Sequence, residues 1–199
     1  MISAIKNILR SIINKFRFNN LKNHALIGEN VLFNRNSRII SENIQDILID
    51  DNVMMYGSLI SSNGGEIKIG SFTNIREGCK IFCANKVIIE SNVIFADNVI
   101  ISDTNHHPVN PDDRNIMISS GWSSDLWNWK YAASKSIKIE SNVWLGQYSR
   151  VLKGVTIGKN SIIASNAVVT KNVPENCIVA GNPASIVKRD IHLTEKVFN

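Results

Sequence analysis

The stretch "IESNVWLGQYSRVLKGVTIGKNSIIASNAVV", residues 139–169, decides how this chain folds. Ile139, Leu145, Val151, Ile157, Ile163 and Val169 return at every sixth position, and small residues follow each by four places, at Val143, Ser149, Val155, Ser161, Ala167 and Val173. A period of six fits neither an amphipathic helix nor a half-buried strand, whose repeats are about 3.6 and 2 residues. Three short strands joined by tight turns, each pointing one aliphatic inward, close a triangular coil of about eighteen residues. The pattern therefore predicts an all-β chain, a parallel β-helix.

Working outward, related strings recur as "ILIDDNV" at 47, "IKIGSFT" at 67, "VIIESNV" at 87 and "IKIESNV" at 137. The first three are twenty residues apart, which reads as one coil plus a two-residue bulge at a corner. Glycines and asparagines between the hexads, such as Gly146, Asn142 and Asn160, suit tight corners. Between the third and fourth copies the spacing jumps to fifty, so about thirty residues leave the coil as an extended loop over 102–136. The β-helix domain is expected over 26–190, followed by a short tail over 191–199.

The composition narrows the function. Lys6, Arg10, Lys15, Arg17 and Lys22 all precede the first acidic residue, Glu29, and the remaining 17 basic residues balance 17 acidic ones. The net charge of +5 thus belongs to one end, and no basic face spreads over the body for nucleic acid. Cys79, Cys83 and Cys177 form no paired metal-ligand spacing, so no metal is expected, and reduced thiols fit a cytoplasmic protein. Residues 1–25 carry Ile2, Ile5, Leu9, Ile12, Ile13 and Phe16 at helical spacing between bases. This is read as a basic amphipathic helix that either packs on the assembly or lies on the inner face of an anionic membrane. It is too often interrupted by charge to cross a bilayer.

The loop opens with "SDTNHHPVNPDDR", residues 102–114, which gathers two of the four histidines among carboxylates and amides. A neutral imidazole, with a pKa near 6.5, is suited to take a proton near neutral pH.

Residues 139–188 and this loop resemble the hexapeptide-repeat acyltransferases. The branch is that of galactoside, maltose and virginiamycin acetyltransferases and the polysialic-acid O-acetyltransferases, and the likeness runs over 47–188. It implies a left-handed coil, an exception to the usual right-handed crossover. It also implies a homotrimer with active sites between neighbouring subunits, and acetyl-CoA as co-substrate without a metal. Asp103, Asn105, His107, Pro108 and Val109 match the order of the family's loop, so the resemblance implies His107 as general base, with His106 in the spacer as the alternative. Asp103 and Asn105 are expected to orient the imidazole or the acceptor, or only to cap the turn, and His106 is expected near the acceptor. Arg114 is expected to bind an acidic sugar or to pair with Asp112 or Asp113. Trp144, in "NVWLG", matches a tryptophan beside the acceptor channel. Trp122, Trp127 and Trp129 are read as a saccharide platform or as packing against the next subunit.

The same resemblance implies coenzyme binding along the coil edge by Gly146, Gln147, Ser165, Thr170, Lys171 and Lys188. Where galactoside enzymes carry an acidic pair this chain has Cys83, Ala84 and Asn85, which argues against a galactoside held in that way. The expectation is an O-acetyltransferase acting on a sugar hydroxyl of a bacterial surface polysaccharide, capsule or O-antigen, or its precursor. An N-acetyltransferase of a nucleotide-linked amino sugar and a non-catalytic β-helix scaffold are the alternatives.

Overall fold

A computed structural model describes residues 20–198. Most of the basic segment read as an amphipathic helix therefore lies outside the described residues. Of its end, residues 20–22 are helical and Leu21 packs against the core.

The strands follow one another in triplets. The first coil holds β1 (Leu26–Ile27), β2 (Leu32–Phe33) and β3 (Arg38–Ile40), and the second β4 (Ile47–Ile49), β5 (Met54–Met55) and β6 (Ser58–Ser61). The third holds β7 (Glu66–Ile69), β8 (Asn74–Ile75) and β9 (Lys80–Cys83), and the fourth β10 (Lys86–Ile89), β11 (Ile94–Phe95) and β12 (Ile100–Ser102). After the loop come β13 (Ile137–Ile139), β14 (Trp144–Leu145) and β15 (Arg150–Leu152), then β16 (Thr156–Ile157), β17 (Ile162–Ile163) and β18 (Val168–Val169). β19 (Ile178–Ala180) and β20 (Ser185–Lys188) close the end.

Every third strand stacks. The first sheet is ordered β1-β4-β7-β10-β13-β16, the second β2-β5-β8-β11-β14-β17-β19-β20, and the third β18-β15-β12-β9-β6-β3. All pairings are parallel except the closing β19–β20 pair. Ile47, Ile67, Val87 and Ile137 are direct register partners, so the sequence jump of fifty is a single step in the stack.

The inward ladder is continuous: Ile49, Ile69, Ile89, Ile139 and Ile157 are all within 1% of full burial. The small residues at Val143, Ser149, Val155, Ser161 and Ala167 are buried too. Each large aliphatic removed from water contributes about 1.5–3 kcal/mol, so the stack itself is the stabilising unit. One corner, between the first and second sheets, holds Asn30, Asn52, Asn92, Asn142, Asn160 and Asn176 at positive φ. Asparagine tolerates that conformation and adds a side-chain ladder: Asn142 donates to Asn160 at 3.0 Å, and Asn160 to Asn176 at 2.8 Å.

Apart from a second coil two residues shorter than the third between Met54 and Ser58, the coils differ in length mainly at the corner between the third and first sheets. The last coils turn there in the minimal hexad, whereas Ala84–Asn85 adds the two-residue bulge and a 3-10 turn over Ile44–Asp46 lengthens the first coil. The extended loop leaves from this same corner. It is more ordered than a bare loop: α1 (Pro111–Ser119) is followed by 3-10 turns at Asp125–Trp127 and Trp129–Tyr131. Asn110 caps α1 by accepting from the Asp112 N–H, Pro111 opens it, and Asp112 and Asp113 face its positive end.

Candidate active site

The loop is held at its root by one carboxylate. Asp103 is fully buried and accepts from the backbone N–H groups of Ala84, Asn85 and Lys86, each at 2.8 Å, while the Cys83 thiol donates to it at 3.3 Å. The two-residue bulge thus folds into a concave run of N–H groups, a natural anion cradle. Burial, followed by the neighbouring Asp103 charge, pushes the Cys83 thiol far up, so it stays protonated as a donor. Asp103 was expected beside the acceptor. Instead it faces inward with its oxygens occupied by backbone donors, and it reads as the anchor of the loop.

Above the anchor the two ends of the loop pair as a short neck. The Asp103 carbonyl accepts from Lys135 N–H at 2.8 Å, Thr104 bridges Ser134, and Asn105 N–H donates to Ala133 at 3.0 Å. Lys153, one coil along, donates its ammonium to the Asn105 side-chain carbonyl at 2.7 Å. Asn105 is therefore spoken for by a cation that the sequence reading did not single out. The register Ser102↔Leu152 puts Lys153 level with the loop root, which is the signal that could have found it.

Both histidines stand on this neck, in different settings. His106 has φ +64° and a half-buried ring whose edge contacts meet Phe82 at 5.1 Å and Trp129 at 4.7 Å between ring centres. Its Nε2 lies 3.1 Å from Ser102 Oγ. The Ser102 hydroxyl already donates to the Thr104 carbonyl at 2.8 Å, so it accepts from Nε2–H and leaves the Nδ1 lone pair free. Burial holds the His106 pKa below the ordinary imidazole value; His107 adds to the fall, and Asp103 opposes it. His107 is exposed, its ring set perpendicular to Trp127 at 5.8 Å. The resulting cluster of Ser102, Phe82, Trp127 and Trp129 around the imidazoles is set by tertiary packing.

The other expected residues scatter over the prism. Arg114 donates to the carbonyls of Pro108 and Val109 and so staples the chain leading into α1, rather than pairing with Asp112 or Asp113. Trp144 is half exposed on the outer face of the second sheet, between Ile94 and Ile162. Gly146, Gln147 and Ser165 turn at the corner between the second and third sheets. A Cβ on Gly146 would meet Ser165 N at 2.6 Å and Ile163 O at 2.7 Å, so coil stacking alone requires glycine there. Gln147 helps line a cavity of about 530 Å³ on that edge, with Tyr56, Arg76, Asp97 and Asn98. Thr170 and Lys171 are exposed at the corner from which the loop departs, two coils further on. Lys188 is exposed at the end of β20, opposite Ile178. Within one chain, then, the imidazoles lie on the opposite side of the third sheet from Gly146, Gln147 and Ser165, whereas Thr170 and Lys171 follow the third sheet as the loop does.

Comparison with known proteins gives this geometry its context. The family described as bacterial transferase hexapeptide (six repeats) matches residues 136–171. A Saccharomyces cerevisiae protein named as an acetyltransferase, YJL218W, is 32% identical over 163 residues, covering 82% of this chain and 74% of its own length. The crystal structure of the polySia-specific acetyltransferase NeuO superposes with a TM-score of 0.64 at 27% identity, over 87% of this chain and 78% of that one. A hexapeptide-repeat acetyltransferase from Vibrio cholerae, solved with acetyl coenzyme A, shares the fold at a TM-score of 0.59 and 21% identity, over 89% and 76% of the two chains.

Proposed function

Because the chain belongs to the bacterial transferase hexapeptide family and is an acetyltransferase, we propose that it moves the acetyl group of acetyl-CoA to a hydroxyl of a bacterial surface polysaccharide or its precursor. The observation that carries this reading is the pair of imidazoles on a loop neck anchored by Asp103. A base held on a rigid root can meet a hydroxyl at a fixed angle, which is what direct transfer requires. His107, exposed beyond the neck, takes the proton of the acceptor hydroxyl as its oxygen attacks the acetyl carbon. The carbon–sulfur bond breaks, and the imidazolium returns the proton to the departing thiolate. A backbone N–H of the coil edge stabilises the developing oxyanion.

A second assignment has an observation of its own. His106 has a defined tautomer, a free Nδ1 lone pair and a depressed pKa that keeps it neutral, all properties of a base. The reaction is the same with either imidazole, and single substitutions separate them.

The reading includes a homotrimer, with the coil the left-handed one of the resemblance and the protein in the cytoplasm beside its donor. Two features support association. First, the imidazoles and Gly146, Gln147 and Ser165 sit at different corners of one chain, so a neighbour's edge must complete the site. Second, the outer face of the second sheet carries Leu32, Ile94 and Trp144 half exposed in one line. In that line the Asn74 side-chain oxygen is buried without a hydrogen-bond partner, a group that a neighbouring copy can satisfy.

Mass spectrometry of surface glycan from cells with and without the gene tests the proposal. It requires a mass difference of one acetyl per modified residue, removed by mild alkali as an ester. An alkali-stable acetyl would mark an amide and an amino-sugar acceptor instead, and identical glycans would refute both.

A further inference from the structure

Trp122 is 86% exposed at the tip of the extended loop, yet it is not a loose side chain. Its ring lies on that of Trp127, with centres 4.6 Å apart and planes within 24°. Gly121, at φ +81°, makes the turn that folds Trp122 back, and the Trp127 indole N–H donates to the Gly121 carbonyl at 2.9 Å. Trp127 in turn stands perpendicular to the His107 ring. The outer face of a rigid two-ring stack is thus offered to solvent one ring away from the imidazole. The loop segment that carries the stack also holds a polar group of side chains: Asp125 accepts from the Tyr131 hydroxyl at 2.9 Å and pairs with Lys130 at 2.6 Å.

We propose that Trp122 and Trp127 form a binding platform for a pyranose ring of the acceptor, the residue neighbouring the one acetylated at the imidazole. This rests on the O-acetyltransferase reading above and deepens it, since a subsite beyond the reacting sugar selects an oligomeric or polymeric glycan over a monosaccharide. The C–H face of a pyranose is apolar and its rim carries hydroxyls, which matches an exposed indole face on a loop segment that also carries a carboxylate, an ammonium and a phenol. Because the stack is already held by its own hydrogen bond and turn, little ordering cost falls on binding. Exposed Ile116 and Ile118 on α1 make a neighbouring copy the competing occupant, and the choice of substitution separates the two.

The experiment uses surface polysaccharide purified from cells lacking the gene, and its single repeat units released by mild acid, as acceptors for the full-length protein. The wild type is expected to show a KM for polymer at least tenfold below that for the repeat unit. Trp122→Leu and Trp122→Ala should erase that difference, while Trp122→Phe keeps most of it; the KM for acetyl-CoA and the mass of the assembly stay the same. A polymer KM unmoved in Trp122→Leu, or an assembly that dissociates in Trp122→Ala, overturns the platform. If the wild type acetylates neither acceptor, the O-acetyltransferase reading falls first and the platform with it.

Discussion

At the scale of single residues, the two adjacent histidines differ in what surrounds them, and that difference is measurable. His106 has a folded pKa below its ordinary value of 6.5 because its ring is tucked between Phe82 and Trp129. The unfolded chain therefore binds the proton more readily than the folded one. Stability is fully present above about pH 6.5 and falls as the pH drops from there toward the folded pKa. In thermal melts the wild type should lose stability relative to His106→Gln as the pH falls through that acidic window; a difference that does not change with pH would place the ring in solvent. Asp103 carries a heavier consequence. Asp103→Ala strands three backbone N–H donors in a buried cradle, and each such group costs about 1–3 kcal/mol. Asp103→Asn keeps the size but turns an N–H₂ toward N–H donors. We expect both variants to lose at least tenfold in acetyl transfer through kcat, with protease cleavage appearing in 103–136 before the coil melts. A variant with a stable loop and full kcat would show that Asp103 is only a core residue.

At the scale of elements, the coil obeys a simple rule and the loop does not. Ile139→Ala, in the middle of the buried ladder, should cost about 2–5 kcal/mol, because the cavity is walled by strands that cannot collapse inward. A loss under 1 kcal/mol in denaturant melts would contradict the packing described. This contrast also explains what could be read from the chain. The hexads from Ile139 to Val169 announce the coil because an inward aliphatic is needed at every turn of the triangle. The first coil, β1 to β3, was harder to see: its register step of 22 residues from Leu26 to Leu48 breaks the period. The helix α1 left the clue of Asn110-Pro111-Asp112-Asp113, a cap followed by proline and acids, inside a stretch read only as loop. The cradle around Asp103 was invisible, since it depends on Ala84 and Asn85 of the preceding coil meeting a carboxylate nineteen and eighteen positions away. The residues proposed along the coil edge were named by likeness to a family, and one chain gathers Gly146, Gln147 and Ser165 at one corner but not beside the imidazoles.

At the scale of the whole molecule, the proposed site is divided between copies. Ile94→Arg places a charge in the middle of the exposed line of the second sheet, one strand from Trp144. Analytical ultracentrifugation should find that this variant loses the trimer proposed for the wild type while its circular dichroism remains that of a β-helix. Acetyl transfer should fall with the loss of trimer, because the imidazoles and the coil edge are no longer brought together. A monomeric variant with full activity would refute the shared site.

The most direct test is the rate at which coenzyme A thiol is released from acetyl-CoA in the presence of the polysaccharide purified from cells lacking the gene. The account predicts that His107→Ala loses at least a hundredfold, on the order of one general base, while His106→Ala loses much less. The opposite order would move the base to His106, and undiminished release from the double variant would contradict the claim that a loop imidazole drives acetyl transfer.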